Sequence, residues 1–168
     1  RFSIIICLSL IIMSCTKEIA HIKLREKLAK QQGGPEAVKL QHNKGRLTLR
    51  ERIDLLLDKE SFEEIGKVAG GAEYDDEGNL TSLTPANFIL GFGKIDGQDV
   101  IIGGEDFTVK GGSRNAAGLR KSIDTEDLAV KHKFPLVRLH EGGGGSVAGP
   151  SKEKKGYGGA PVFSRSRF

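Results

Sequence analysis

The sequence predicts an α/β fold in which a helical N-terminal stretch precedes two paired strands and a strand, helix, strand unit. Three observations carry this prediction. The run Thr48 to Leu57 opens on a T-x-x-E pattern and then repeats apolar residues at helical spacing. Two strand-like runs, Phe88 to Ile95 and Val100 to Gly104, flank Asp96-Gly97, a pair suited to the positive φ angles of a two-residue hairpin. The pair Gly111-Gly112 then separates the second run from a helical pattern that leads to the short apolar strand Pro135 to Leu139.

Taken in chain order, the first helical pattern runs from Lys17 to Gln32, with Ile19, Ile22, Leu24 and Leu28 set among charges, and Gly33-Gly34 ends it. Pro35 suits the first position of a second short helix through Glu36, Ala37, Val38 and Leu40, because the N–H it lacks would be unpaired there in any residue. Gly45 breaks that helix. In the third, Thr48 and Glu51 satisfy each other's free backbone N–H, while Leu49, Ile53, Leu56 and Leu57 form one apolar face. Arg46, Arg50 and Arg52 on this segment are read as solvent-facing or intersubunit salt links, with a phosphate contact as the alternative. Asp75 to Asn79 is a turn cluster. Beyond Gly112, residues Ala116, Leu119, Ile123 and Val130 fit a helical stripe, and Pro135 to Leu139 reads as a short buried strand. Such a crossover gathers ligands beyond the strand C-termini, where the Gly111-Gly112 break and the Gly142 to Gly145 run fall. From Ala148 the chain is rich in Gly, Ser and Lys without periodicity, and is read as a loop or tail.

The 168 residues, 38% hydrophobic and 29% charged, suit one soluble domain or part of one. The formal charge is +4, but Lys152, Lys154, Lys155, Arg165 and Arg167 place much of the excess in the tail, without interleaved aromatics. That pattern argues against a nucleic-acid groove. Cys7 and Cys15 cannot make a four-ligand zinc site or a disulfide framework, which leaves no metal site expected and points to a reducing compartment. The apolar run Phe2 to Met13 falls short of the roughly 20 residues that span a bilayer. It has the look of a secretory h-region, and Ile12-Met13-Ser14-Cys15 loosely resembles a lipoprotein cleavage box. We read it instead as a leader outside the fold and not as a working signal. The four histidines, His21, His42, His132 and His140, form no catalytic constellation; His42 is assigned a structural hydrogen bond. Gly91-Phe92-Gly93 lacks the third glycine of a dinucleotide fingerprint.

The segment Gln41 to Asp58, the run Ser61-Phe62-Glu63-Glu64-Ile65-Gly66, the run Asp106 to Ser113 and the loop Gly142 to Val147 are four collinear motifs. In this order they resemble the carboxyltransferase (beta-type) subunit of biotin-dependent acyl-CoA carboxylases, which act on acetyl-, propionyl- or methylcrotonoyl-CoA. The resemblance runs from about Glu18 to about Val147. It implies a crotonase-like fold, a spiral of β-β-α turns, here incomplete and preceded by a helical extension. The implied divisions are a leader over 1–15, the helical extension over 16–66, a partial CoA carboxyltransferase N-terminal domain over 67–147 and a loop or tail over 148–168.

The implied activity moves a carboxyl group from carboxybiotin to the α-carbon of an acyl-CoA. Backbone N–H pairs can stabilise the thioester enolate without an acid-base side chain. On this resemblance the turn Lys110, Gly111, Gly112, Ser113 lies against CoA or its thioester, with the Gly112 and Ser113 amides facing phosphate or oxyanion and Lys110 adding charge; a tight turn without ligand is the alternative. The run Gly142, Gly143, Gly144, Gly145 would help line the active-site canyon, or else is a linker, and Glu141 stands where family members often carry aspartate. The implied cofactor is biotin on a biotin carboxylase or biotin carboxyl carrier partner, with acyl-CoA as substrate, and the implied assembly is a homo-oligomer, with neither nucleic acid nor membrane as partner. Export would part the enzyme from that partner, so the implied location is the cytoplasm, or the mitochondrial matrix in a eukaryote. Family subunits are much longer and carry a second crotonase-like domain, so residues 1–168 alone are expected to hold no catalytic residue, to lack carboxylation activity and to leave apolar strands uncovered. An acyl-CoA decarboxylase subunit and a non-catalytic scaffold remain as alternatives.

Overall fold

The computed structural model describes residues 15–113 and 115–142. The leader before Cys15, the loop residues Gly143 to Gly145 and the tail from Ala148 therefore lie outside the described residues.

Three helices come first: α1 (Thr16–Ala29), α2 (Pro35–Asn43) and α3 (Leu49–Leu56). Pro35 opens α2 as its missing N–H suggests. In α3 the Glu51 N–H donates to Thr48 Oγ1 at 3.3 Å and the Thr48 N–H donates to the Glu51 carboxylate at 2.7 Å, which completes the capping box. His42 Nε2 lies 2.9 Å from the same carboxylate, the structural bond expected of it, and this contact holds the Glu51 carboxyl below its ordinary value. Leu49, Ile53 and Leu57 are buried while Leu56 turns outward. The apolar residues of α1 behave differently: Ile19, Ile22 and Leu24 are exposed, and Ala29 alone of this helix is buried. Polar contacts dock α1 instead. The Arg25 guanidinium donates to the Tyr74 hydroxyl and lies over its ring at 5.8 Å.

A four-stranded sheet follows, in the order β1 (Glu63–Glu64), β4 (Phe88–Ile95), β5 (Gln98–Glu105), β6 (Leu136–Leu139), beside a separate hairpin of β2 (Gly70–Tyr74) and β3 (Leu80–Pro85). The β4–β5 turn is the predicted one, with Asp96 at φ 50° and Gly97 at φ 76°. Its two amides donate to the Asp58 carboxylate at 3.0 and 2.8 Å, tying the turn back to the end of α3. The helix α4 (Ala116–His132) carries the chain from β5 to β6, which pairs with β5 in parallel. Period-2 alternation then assigns each sheet face its helix. Ile89, Val100 and Ile102 pack on Leu49, Ile53 and Leu57, whereas Phe88, Leu90 and Ile101 pack on Ala129 with Leu128 and Phe134 beside it.

Two expectations need correction. The stripe foreseen on α4 does not face the sheet: Ile123 and Val130 are exposed, and the buried face is Gly118, Lys121, Ser122, Thr125 and Ala129. Apart from Lys121, whose ammonium donates to the Gly66 carbonyl, these are small residues that let the helix axis approach the sheet closely. The strand β6 is not fully buried but lies half-exposed at the edge of the sheet. Among the described residues no helix is long and apolar enough to cross a membrane.

Candidate functional site

Parallel pairing of β5 and β6 brings their C-terminal ends to one edge of the sheet, from which residues 106–113 and 140–142 both emerge. Asp106 starts the first of these segments. Its N–H donates to the Asn87 carbonyl at 2.9 Å, and its Oδ1 accepts both the Thr108 N–H at 3.0 Å and the Thr108 hydroxyl at 2.6 Å. The Thr108 Oγ1 in turn accepts the Gly33 N–H at 3.0 Å. A Cβ on Gly33 would stand 1.9 Å from the Thr108 carbonyl oxygen, so the backbone itself makes this contact.

Lys110, Gly111 and Gly112 follow as a single 3-10 turn with three successive positive φ angles, 51°, 61° and 72°. The left-handed conformation costs a residue with a Cβ about 1–2 kcal/mol, and here a lysine bears it. Sequence reasoning expected the Gly112 and Ser113 amides to face a ligand at a helix N-terminus. They are instead used inside the turn: Gly112 donates to the Val109 carbonyl at 3.1 Å and Ser113 to the Lys110 carbonyl at 3.2 Å. The helix begins three residues later, at an Asn115 cap whose Oδ1 accepts the Gly118 N–H at 2.7 Å. What the turn presents is the Lys110 side chain. It borders an open cleft of about 280 Å³ whose walls are Thr108, Val109 and Lys110 on one side, the α1–α2 elbow from Leu28 to Gly34 on another, and Leu83 to Pro85 of β3.

Asn87, which sequence reasoning passed over, staples the far flank. Its Nδ2 donates to the Ser113 carbonyl at 2.6 Å and its Oδ1 accepts the Asn115 N–H at 3.3 Å. Gly118 passes so close that a Cβ there would meet Asn87 Oδ1 at 2.1 Å.

Behind the turn lies a much smaller cavity of about 10 Å³, room for no more than a single water, lined by Arg50, Glu64, Lys67, Asp106 and Lys121 among others. Arg50 forms a two-pronged pair with Glu64 at 2.9 and 3.2 Å, so it is an intrachain link. Lys121 reaches the Gly66 carbonyl at 3.3 Å and Glu64 at 3.8 Å; burial pushes its ammonium below the ordinary value although Glu64 opposes this. Arg46 and Arg52 each stand 3.8 Å from Glu141, which also accepts from Gln41 Nε2. These contacts hold the start of the glycine loop, of which Gly142, at φ 73°, is within the described residues. Among the described residues no three His, Cys, Asp or Glu side chains are placed to hold a metal.

Burial pushes the Asp106 carboxyl above its ordinary value, against its Thr108 hydrogen bonds and the Arg50 charge, with Glu141 adding to the rise. A carboxyl raised on folding takes up a proton between its unfolded and folded values, so its penalty is full above the folded value and is relieved as pH falls through it. The amide of Asp106→Asn keeps an Oδ1 acceptor without the charge. This variant is expected to be more stable than the parent at pH 7, with the advantage shrinking toward pH 4, in paired urea melts.

Solved structures share this fold. The transcarboxylase 12S structure with methylmalonyl-coenzyme A and methylmalonic acid bound superposes with a TM-score of 0.65 at 27% identity, over 77% of this chain and 25% of that one. The fold is thus the crotonase-like fold of carboxyltransferases, an incomplete part of its spiral. The family model for the carboxyl transferase domain matches residues 40–164, and the chain belongs to that family. The propionyl-CoA carboxylase beta chain of Roseobacter denitrificans is 33% identical over 150 residues, 88% of this chain and 29% of the relative. The methylmalonyl-CoA decarboxylase subunit alpha of Veillonella parvula is 34% identical over 137 residues, 80% of this chain and 27% of the relative. The chain therefore spans less than a third of the length of these relatives.

Proposed function

We propose that this chain supplies the first part of the acyl-CoA side of a carboxyltransferase, in an enzyme that moves a carboxyl group between carboxybiotin and the α-carbon of an acyl-CoA. The observation that carries this reading is the Lys110 turn. A position whose backbone favours glycine holds a lysine, at the mouth of a cleft and at the C-terminal edge of parallel strands. A cation there suits a CoA phosphate better than an enolate, because the Gly112 and Ser113 amides are spent within the turn. Gly111 and Gly112 complete the turn that carries Lys110, and Ser113 fixes the turn to Asn87. In this reading Gly142, just past β6, begins the glycine run assigned to the same acyl-CoA site; Gly143, Gly144 and Gly145 lie outside the described residues.

Biotin, when presented by its carrier partner, supplies the carboxyl group. None of the side chains assigned above is needed to hold it, and this chain's part is to hold the acyl-CoA. Like subunits associate, and a biotin carboxylase or carboxyl carrier is the expected partner. An acyl-CoA decarboxylase subunit is the second reading, favoured by the resemblance to the Veillonella parvula protein; it uses the same turn for the same thioester.

Lys110→Gly separates binding from folding. Removing the left-handed strain offsets the added freedom of glycine in the unfolded chain, so stability is expected to rise or stay within about 1 kcal/mol. Loss of one charge-assisted phosphate contact is expected to weaken propionyl-CoA about five- to tenfold in a calorimetric titration. Unchanged affinity would remove Lys110 from the site.

A further inference from the structure

Two of the three walls of the Lys110 cleft come from segments far apart in sequence. One is the elbow between α1 and α2, the other the turn after β5. They are joined by a chain of hydrogen bonds that starts at exposed Gly33 and ends in the interior: the Gly33 N–H to Thr108 Oγ1 at 3.0 Å, then the Thr108 hydroxyl to Asp106 Oδ1 at 2.6 Å. Asp106 is 3% exposed and Thr108 8%. Each donor and acceptor in this chain has one geometry available: the hydroxyl proton is committed to Asp106, which leaves the Oγ1 lone pair facing Gly33. The Gly33 amide is thereby fixed to the turn through the Thr108 side chain.

We propose that Asp106 is a positioning residue for the cleft: acting through Thr108, it clips the α1–α2 elbow to the Lys110 turn so that both walls keep one spacing around an acyl-CoA. This rests on the proposal that the cleft receives acyl-CoA. The clip does not depend on the charge of Asp106, because a protonated carboxyl still offers one oxygen as acceptor. The charged groups around it are Arg50 of α3, Glu64 of β1, Lys67 after it, Lys121 of α4 and Glu141 after β6. The helical elbow, which precedes the residues matched by the family model, then has a defined task in the site.

The test combines amide hydrogen exchange at Gly33 with propionyl-CoA titration in the whole chain and three variants. Thr108→Val keeps the side-chain shape and the Asp106 bond to the backbone but removes the bridge. It is expected to speed Gly33 exchange at least tenfold and to weaken propionyl-CoA about three- to tenfold. Asp106→Ala is expected to do the same or more, and Asp106→Asn to restore both readings to within about twofold of the parent. Unchanged Gly33 exchange in Thr108→Val, or an Asp106→Asn chain as impaired as Asp106→Ala, would overturn the clip. Should the parent bind no propionyl-CoA, the acyl-CoA reading fails, and the exchange rates still decide for or against the clip.

Discussion

Truncation of Asn87 to alanine is expected to destabilise the chain by about 2–4 kcal/mol, a large part of the 5–15 kcal/mol typical of a folded domain. The side chain is 1% exposed and makes two hydrogen bonds to backbone groups on either side of residue 114, at Ser113 and Asn115. Without it the Ser113 carbonyl and the Asn115 N–H lose their partner in a partly buried place. Leaving such groups unpaired costs more than the bond itself contributes. Gly118 sharpens the test, because its missing Cβ leaves room for Asn87 Oδ1. Gly118→Ala alone is expected to cost about 1–3 kcal/mol through overpacking. In the Asn87→Ala background the obstructing oxygen is gone, so the double variant should cost less than the sum by at least about 0.5 kcal/mol. Urea melts of the four chains measure this, and simple additivity would contradict the contact.

The second large effect is expected from Leu49→Ala, at about 3–5 kcal/mol. Leu49 has no exposed surface and belongs to the core of Ile53, Ile89, Val100 and Ile102, so the cavity left behind would be closed on every side. Its neighbours belong to α3 and to both central strands, so collapse around the gap would require helix and sheet to shift together. Leu55→Ala provides the comparison, since Leu55 is 75% exposed on the same helix and is expected to change stability by less than about 0.5 kcal/mol. Thermal or urea melts of the two variants give the contrast directly. Similar losses in both would mean that α3 does not share the core of the sheet.

How much of this was legible in sequence depended on range. The capping box of Thr48 and Glu51 and the Asp96-Gly97 hairpin are encoded within a few residues, and both formed as read. The hairpin of β2 and β3 escaped notice, although its turn cluster was seen, because β2 opens on the glycine pair Gly70-Gly71 and Leu80 to Pro85 alternates weakly. On α4 the apolar residues misled, since a helix that packs closely on a sheet buries small and hydroxyl-bearing residues such as Gly118, Ser122 and Thr125. The site was half visible. The glycine pair marked its position, yet nothing local distinguishes a left-handed turn at Lys110 from a helix start, and that difference decided where the amides point. Asn87, Gly33 and Thr108 act across separations of 26 to 75 residues, a distance over which a single sequence carries no pairing signal.

The most direct test of the account is to map CoA on the isotopically labelled chain by following backbone amide resonances during a titration. Binding at the Lys110 cleft predicts saturable shifts at Gly33 and Gly34 and from Thr108 to Ser113, all with one dissociation constant. Saturable shifts confined to another surface, or no saturable shift at all, would contradict it.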